Sequence, residues 1–572
     1  MNFENIKSFF AIVFSFDERY PLLFTQFYFW AFFAIVFAGF SLLHNKMLLR
    51  NAFLFFASLF FYYKTSGLFV LILLFSTFYG FIIGKKIPKT TTLKTRKIYL
   101  AVGVVLNLLV LCYFKYAYFF TDVYNSLFNS NYEVINYLAK WTNELSGSNR
   151  FDASKILLPV GISFYTFQNI SYLIDVYRKK VEPVNNILDF GFYTSFFPGL
   201  VAGPIVRANQ FIPQLYKKFF LSRKQFGIAI FWILNGLAKK LILSDYLAVN
   251  FVDRVFDHPT LFTGFENLSA IFIYSLQVYA DFSGYTDIAI GVAMLMGFYL
   301  PLNFNSPYKA TNCGSFWRRW HISLSTWLKD YLYIPLGGSK KGKIRTHINL
   351  MITMLLGGLW HGASWNFMIW GGLNGLGIIT FKLWRKMKKQ IRSILTGALF
   401  ACFAILYYSF ALPVFRIGAV WLGIIFIGTF VDQLYNVIVP AKPVRWLNRG
   451  WSIFLTFIFI TFTRLFFRSG SNLDPVEANE VAWSTARNMV ARIGGKWQPE
   501  LIPSILYEYR FVFILFVAGM VIHWLPTRWK RWYRINFAML PLWLIGLIVV
   551  ATVFILYQFV TSDLQPFIYF QF

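Results

Sequence analysis

Apolar runs of about 16 to 25 residues recur along nearly the whole of this 572-residue chain, and they decide what it can fold into. Crossing a hydrocarbon core about 30 Å thick takes roughly 20 helical residues, and most of the runs reach that length. Inside a bilayer every backbone N–H and C=O must be satisfied within the protein, so runs of this kind fold as helices. The expected fold class is an all-α polytopic integral membrane protein of roughly eleven to fourteen spans, forming a single membrane domain over residues 1–572. Composition agrees: 14% of the residues are charged, against roughly 25% in a soluble domain.

The net charge of +30 would suggest nucleic acid in a soluble protein. Here the bases sit in short loops between apolar runs, which is the positive-inside pattern instead. The loop KKIPKTTTLKTRK carries Lys85, Lys86, Lys89, Lys94, Arg96 and Lys97 with no acid. Arg178 to Lys180, Lys382 to Arg392, and Arg528 to Arg534 repeat the pattern. Assigning basic loops to the cytoplasm closes without contradiction and puts both termini outside. Residues 469–509, with five acids, then form an extracytoplasmic excursion. No aromatic–basic soluble module is present, so no nucleic-acid partner is expected.

Two interruptions stand out. TSFFPGLVAGPIVRANQFIPQL holds Pro198, Gly199, Gly203, Pro204 and Pro213, too many breakers for a straight helix. A broken or re-entrant segment is expected, with its freed backbone buried in protein. Asp281 and Asp287 lie in an apolar run, so each is paired within the bundle or lines a pathway. Cys112, Cys313 and Cys402 show no CxxC spacing, and the histidines show no HExxH; no metal site is expected. The N-terminus lacks a basic region followed by a small-residue cleavage site, so no cleaved signal peptide is expected.

Chemistry is expected in residues 303–375, where Asn, Arg, Trp and three of the six histidines gather between apolar runs. Ionisable groups at membrane depth mark functional sites by default. Burial favours the neutral imidazole, which can act as a general base. Moving an acyl group from a thioester to a hydroxyl needs such a base. His361, in GGLWHGASW, has Trp360 beside it and small residues after it that leave room for a substrate. His321, in RRWHISLS, lies beside Arg318, and these bases could equally be snorkelling anchors. His347 is expected in an interfacial loop. The surrounding donor- or channel-lining candidates are Asn303, Asn305, Trp317, Arg318, Trp320, Ser323, Trp327, Trp360 and Asn366. A helix starting near Arg345 reaches His361 after roughly 24 Å at about 1.5 Å per residue. The two histidines are therefore expected at different depths, His321 nearer the basic side.

Six ordered motifs carry a resemblance: LPVGISFYTFQNISYLIDVYR, SFFPGLVAGPIVR, GLAKKLILSDYLA, YADFSGYTDIAIG, NFNSPYKATNCGSFWRRWHISLSTWLKDYLYIPLGGSKKG and LLGGLWHGASWNFMIWGGLNG. The chain resembles the membrane-bound O-acyltransferase (MBOAT) family, and within it the bacterial branch of alginate O-acetylation. The resemblance implies short or re-entrant helices around a central channel, His361 as the catalytic histidine and His321 as the second. It implies transfer of an acetyl group from cytoplasmic acetyl-CoA across the bacterial inner membrane to an extracytoplasmic polysaccharide. It further implies an SGNH-type acetyltransferase as partner, with acetyl-CoA a substrate and no bound cofactor. Asn374 stands where many relatives have a further histidine, and Gly199 where a glutamine is usual. Two other readings remain open: D-alanyl transfer to teichoic acid, and a transporter or flippase without chemistry.

Overall fold

The computed structural model describes residues 14–16, 22–147, 151–439, 445–468, 475–495, 497–559 and 567. Regular structure among the described residues is entirely helical. The helices that position the site and its surroundings are α1 (Leu93–Leu111), α2 (Ile162–Tyr177), α3 (Arg223–Ala238), α4 (Gly264–Leu295), α5 (Lys343–His361), α6 (Trp365–Trp384), α7 (Thr527–Met539) and α8 (Leu542–Tyr557).

Six helical segments are long and apolar enough to cross a membrane, and the count reaches eight if each of two bent pairs is one span. That is fewer than the eleven to fourteen expected. The physical reason lies in helices such as α2, whose residues from Ile162 to Leu173 are all buried. An apolar run reports removal from water, and the interior of a helical bundle removes it as well as lipid does.

The breaker-rich segment folds as two short helices, Phe197–Leu200 and Ala208–Leu215, with buried chain between them. Its freed backbone finds protein partners. The Ile205 N–H donates to Ser323 Oγ at 3.0 Å, and Tyr193 Oη donates to the Val206 carbonyl at 3.2 Å. Both aspartates of α4 are paired with lysines that follow α3. Lys240 Nζ lies 2.7 Å from Asp281 and 2.8 Å from Asp245, while Lys239 Nζ lies 2.6 Å from Asp287. Breaking such a buried pair costs about 3–5 kcal/mol, because it strands a charge. These pairs lock α3 to α4, so the two aspartates have a structural role.

The excursion is partly helical. Pro475–Gly494 is a helix packed on α4, and its Asn479 Oδ1 accepts the Asn366 backbone N–H at 3.2 Å. Residues 469–474 lie outside the described residues.

Candidate active site

Helix α5 starts at Gly342, whose φ of +84° suits glycine, and runs to His361, where extended Gly362 ends it. His347 therefore lies in the second turn of a helix and not in a loop. Helices α5 and α6 form a hairpin that closes through glycine. A Cβ on Gly358 would lie 2.2 Å from the Phe367 carbonyl oxygen, and one on Gly371 would lie 2.3 Å from that of Met354. Small residues at the crossing let the backbones meet, as in membrane helix pairs. The crossing brings Trp370 of α6 against the His361 ring, with centroids 5.1 Å apart.

The end of α5 leaves carbonyls without intrahelical partners. Lys115 supplies them: its ammonium donates to the Trp360 carbonyl at 2.7 Å and to that of His361 at 3.2 Å. A cation at a helix C-terminus also meets the negative end of the helix dipole. Lys115 reaches this position from a π-helical turn, Cys112–Tyr116, that follows α1. Such one-turn widenings re-aim side chains and recur at functional sites.

His321 is held from the other side. Its φ of +44° places it in the left-handed region, which costs an L-residue roughly 1–2 kcal/mol. The 303–305 strand of loop compensates by backbone bonds: Ile322 N–H to the Asn303 carbonyl at 2.9 Å and Asn305 N–H to the Arg319 carbonyl at 3.0 Å. Asn303 Oδ1 accepts from the Ser323 N–H at 3.1 Å and from its hydroxyl at 2.9 Å. The same oxygen lies 3.2 Å from His321 Nδ1. An oxygen that accepts a backbone N–H is an acceptor toward the ring as well, so Nδ1 carries the proton and Nε2 the lone pair.

The two imidazoles lie side by side, with ring centroids 6.3 Å apart. Any difference in depth between them is thereby at most 6.3 Å, much less than the length of α5 suggests. Both are buried, His321 fully and His361 to 2% exposure. Phe282 packs on His321 at 4.7 Å, Phe467 on His361 at 5.4 Å, and Trp360 on both, at 5.8 and 5.0 Å.

A cavity of about 310 Å³ opens onto His361, walled by Trp317, Arg318, Gly357, Trp370 and Lys382 among others. A second, open cavity of about 500 Å³ lies next to it and shares Ser339 and Lys382 as lining residues. Lys343, His347, Lys382, Arg385 and Lys386 line this vestibule, with no carboxylate among the described lining residues. A basic mouth thus adjoins the cavity that reaches a buried histidine.

Of the lining candidates, Trp317 and Arg318 face this cavity. The others are not among its lining residues. Asn305 ties the turn before His321, accepting Arg319 Nη1 at its carbonyl at 3.0 Å. Ser323 links Asn303 to the broken segment. Trp327 stacks on Phe167 at 3.8 Å, and Phe167 in turn stacks on Trp360 at 5.5 Å. Trp320 packs under the Arg464 guanidinium at 4.5 Å, away from the cavity. Asn366 accepts the Ser364 hydroxyl and donates to the Phe466 carbonyl at 3.0 Å, fixing the turn that carries Phe467.

Comparison with known proteins bears on this site. The sequence model of MBOAT, the membrane-bound O-acyltransferase family, matches residues 181–416, which include both histidines. A probable alginate O-acetylase AlgI of Azotobacter vinelandii is 42% identical over 310 residues, 54% of this chain and 58% of the relative. A peptidoglycan O-acetyltransferase of Helicobacter pylori is 34% identical over 398 residues, 64% of this chain and 72% of the relative. The chain belongs to the membrane-bound O-acyltransferase family. It spans less than two thirds of the length of the alginate relatives it matches, 58% and 60% for two of them. A teichoic acid D-alanyltransferase of Streptococcus thermophilus is more distant, at 28% identity over 248 residues.

Within this MBOAT site, sequence reasoning missed Lys115, Trp370 and Phe467. Lys115 is 246 positions from His361, and nothing local in its sequence reports the contact. Asn374, set aside for want of a histidine, accepts Trp317 Nε1 at 3.3 Å and donates to the Trp370 carbonyl at 2.9 Å. It therefore ties the Trp317 indole of the cavity wall to α6.

Proposed function

We propose that the chain is a membrane O-acetyltransferase, taking the acetyl group of a cytoplasmic thioester, acetyl-CoA, for O-acetylation of an extracytoplasmic polysaccharide. The observation that carries this reading is the cavity that opens onto His361 beside a basic mouth lined by no carboxylate among the described residues. Lys343, Lys382, Arg385 and Lys386 suit the phosphates of the donor, and the narrower cavity suits its pantetheine arm. In the transfer, the acceptor oxygen attacks the thioester carbonyl, a C–O bond forms and the C–S bond breaks. His361 takes the hydroxyl proton and returns it to the leaving thiolate, and His321 supports it from 6.3 Å away. Relatives that act on alginate and peptidoglycan support an acceptor outside the cytoplasm. Delivery through an SGNH-type partner, both termini outside, and residence in a bacterial inner membrane belong to the same proposal.

Proteoliposomes with the basic face outward test it. With [14C]acetyl-CoA outside and an acceptor glycan inside, label is expected on the glycan, in the presence of the partner if delivery is relayed. No thioester consumption in either arrangement would overturn the enzyme in favour of a transporter. Consumption of a D-alanyl carrier thioester in place of acetyl-CoA would shift the reading to teichoic acid, which the 28% relative represents.

A further inference from the structure

Away from the histidine pair, a second set of cations converges on residues 305–309. Arg319 Nη1 donates to the Asn305 carbonyl at 3.0 Å. Lys530 Nζ donates to Ser306 Oγ at 3.0 Å and to the His523 carbonyl at 2.7 Å. Lys309 Nζ donates to the Leu525 carbonyl at 2.6 Å. The loop's own Lys309, the nearby Arg319 and the distant Lys530 thus gather three cations about one short loop. No carboxylate among the described residues pairs with any of them. Burial, followed by the positive charges of Arg319 and Arg449, holds the Lys309 ammonium below its ordinary value. Each cation keeps N–H groups beyond those bonds.

Beneath the cluster lies His523, 2% exposed. Its Nε2 accepts the Tyr308 N–H at 3.2 Å, which leaves the proton on Nδ1. That Nδ1 has no hydrogen-bond partner among the described residues. A buried donor without an acceptor, beside cations without an anion, describes an anion site that the protein does not fill for itself.

The setting identifies the anion. Lys530 lies on α7, whose sequence TRWKRWYRINFAM alternates bases with aromatics, and α7 meets the apolar α8 at 114°. One side of α7 packs on α3, where a Cβ on Gly227 would lie 2.6 Å from Ala538 Cα. The other side leaves Trp529 and Trp532 exposed, at 53% and 68%. A basic helix bent sharply away from an apolar one, with indoles facing outward, suits the membrane interface. We propose that Lys309, Arg319 and Lys530 bind the headgroup phosphate of an anionic phospholipid in the leaflet that the basic loops face. Trp529 and Trp532 sit in the interfacial region beside it. A free phosphate would match the charges and make no use of the two indoles.

Native mass spectrometry of the purified full-length protein, loaded with phosphatidylglycerol or phosphatidylcholine of matched chains, tests the site. At least tenfold preferential retention of phosphatidylglycerol is expected. Lys309→Gln/Lys530→Gln should bring the two lipids to parity, whereas Arg528→Gln/Arg531→Gln, which changes exposed bases outside the cluster, should keep the preference. Equal retention in the unmodified protein, or a preference unchanged in the first variant, would overturn the proposal. Displacement of the lipid by an equal concentration of inorganic phosphate would overturn it too, by making the site one for a free anion. Should the first variant not fold, a photoactivatable phosphatidylglycerol on the unmodified protein replaces it. Crosslinks in residues 305–309 and 523–532 support the site, and crosslinks only elsewhere refute it.

Discussion

Lys115 donates to the carbonyl oxygen of His361 across 3.2 Å, joining two residues 246 positions apart. The bond fixes the last turn of α5, and with it the direction in which the imidazole leaves the helix. Removing one partner of a buried hydrogen bond costs about 1–3 kcal/mol. Lys115→Met is therefore expected to lower kcat for acetyl transfer at least tenfold, with the KM for acetyl-CoA within threefold. Lys115→Arg should restore part of the rate. A kcat within twofold of the unmodified protein in Lys115→Met would remove this positioning role.

Asn303 does for His321 what Lys115 does for His361. Asn303→Ala deletes the acceptor shared by Ser323 and His321, whereas Asn303→Asp retains an oxygen there. The alanine variant should lose at least tenfold in transfer rate, and the aspartate variant substantially less. Equal losses in single-turnover assays would mean that the ring orientation is set elsewhere.

The glycine crossing predicts a contrast in stability. A methyl on Gly371 meets the Met354 carbonyl oxygen at 2.3 Å, so Gly371→Ala must push α5 and α6 apart. Overpacking of this kind costs about 1–3 kcal/mol. Gly546 of α8 has nothing within 4 Å of its Cβ position, and there alanine should be neutral or stabilising by up to about 1 kcal/mol. Thermal unfolding in detergent, followed by size exclusion, checks both. A Gly371→Ala protein as stable as the unmodified one would contradict the packing.

The vestibule predicts a split between binding and chemistry. Lys343→Gln/Lys386→Gln should raise the KM for acetyl-CoA at least fivefold with kcat within twofold, because both lysines line the mouth and not the cavity that holds His361. The unmodified protein should also lose donor affinity as salt rises, since exposed charges are screened within about 8 Å at physiological ionic strength. Titration of initial rates against donor concentration at two ionic strengths measures both effects. An unchanged KM would place the donor elsewhere.

Much of this was legible in residue types and spacing. The breakers of residues 194–215 foretold a broken segment, the apolar setting of Asp281 and Asp287 left pairing or a pathway and they are paired, and the helix into His361 lies where its length put it. What failed did so for physical reasons. Hydropathy cannot tell lipid from the interior of a bundle, so buried α2 counted as a span. Measuring depth along α5 assumed that His321 stays at the basic end. The left-handed turn at His321 and the loop at Asn303 instead carry its ring to within 6.3 Å of the other. Lys115 escaped notice because a π-helical turn, not a sequence pattern, aims it.

The measurement that bears most directly on the site is acetyl transfer by His361→Ala, reconstituted at the same level as the unmodified protein and with the same elution on size exclusion. The cavity would remain and the base would be gone, so transfer should fall by at least a hundredfold while labelled acetyl-CoA still binds. Transfer within threefold of the unmodified protein would show that the histidine at the end of the cavity does not carry the chemistry.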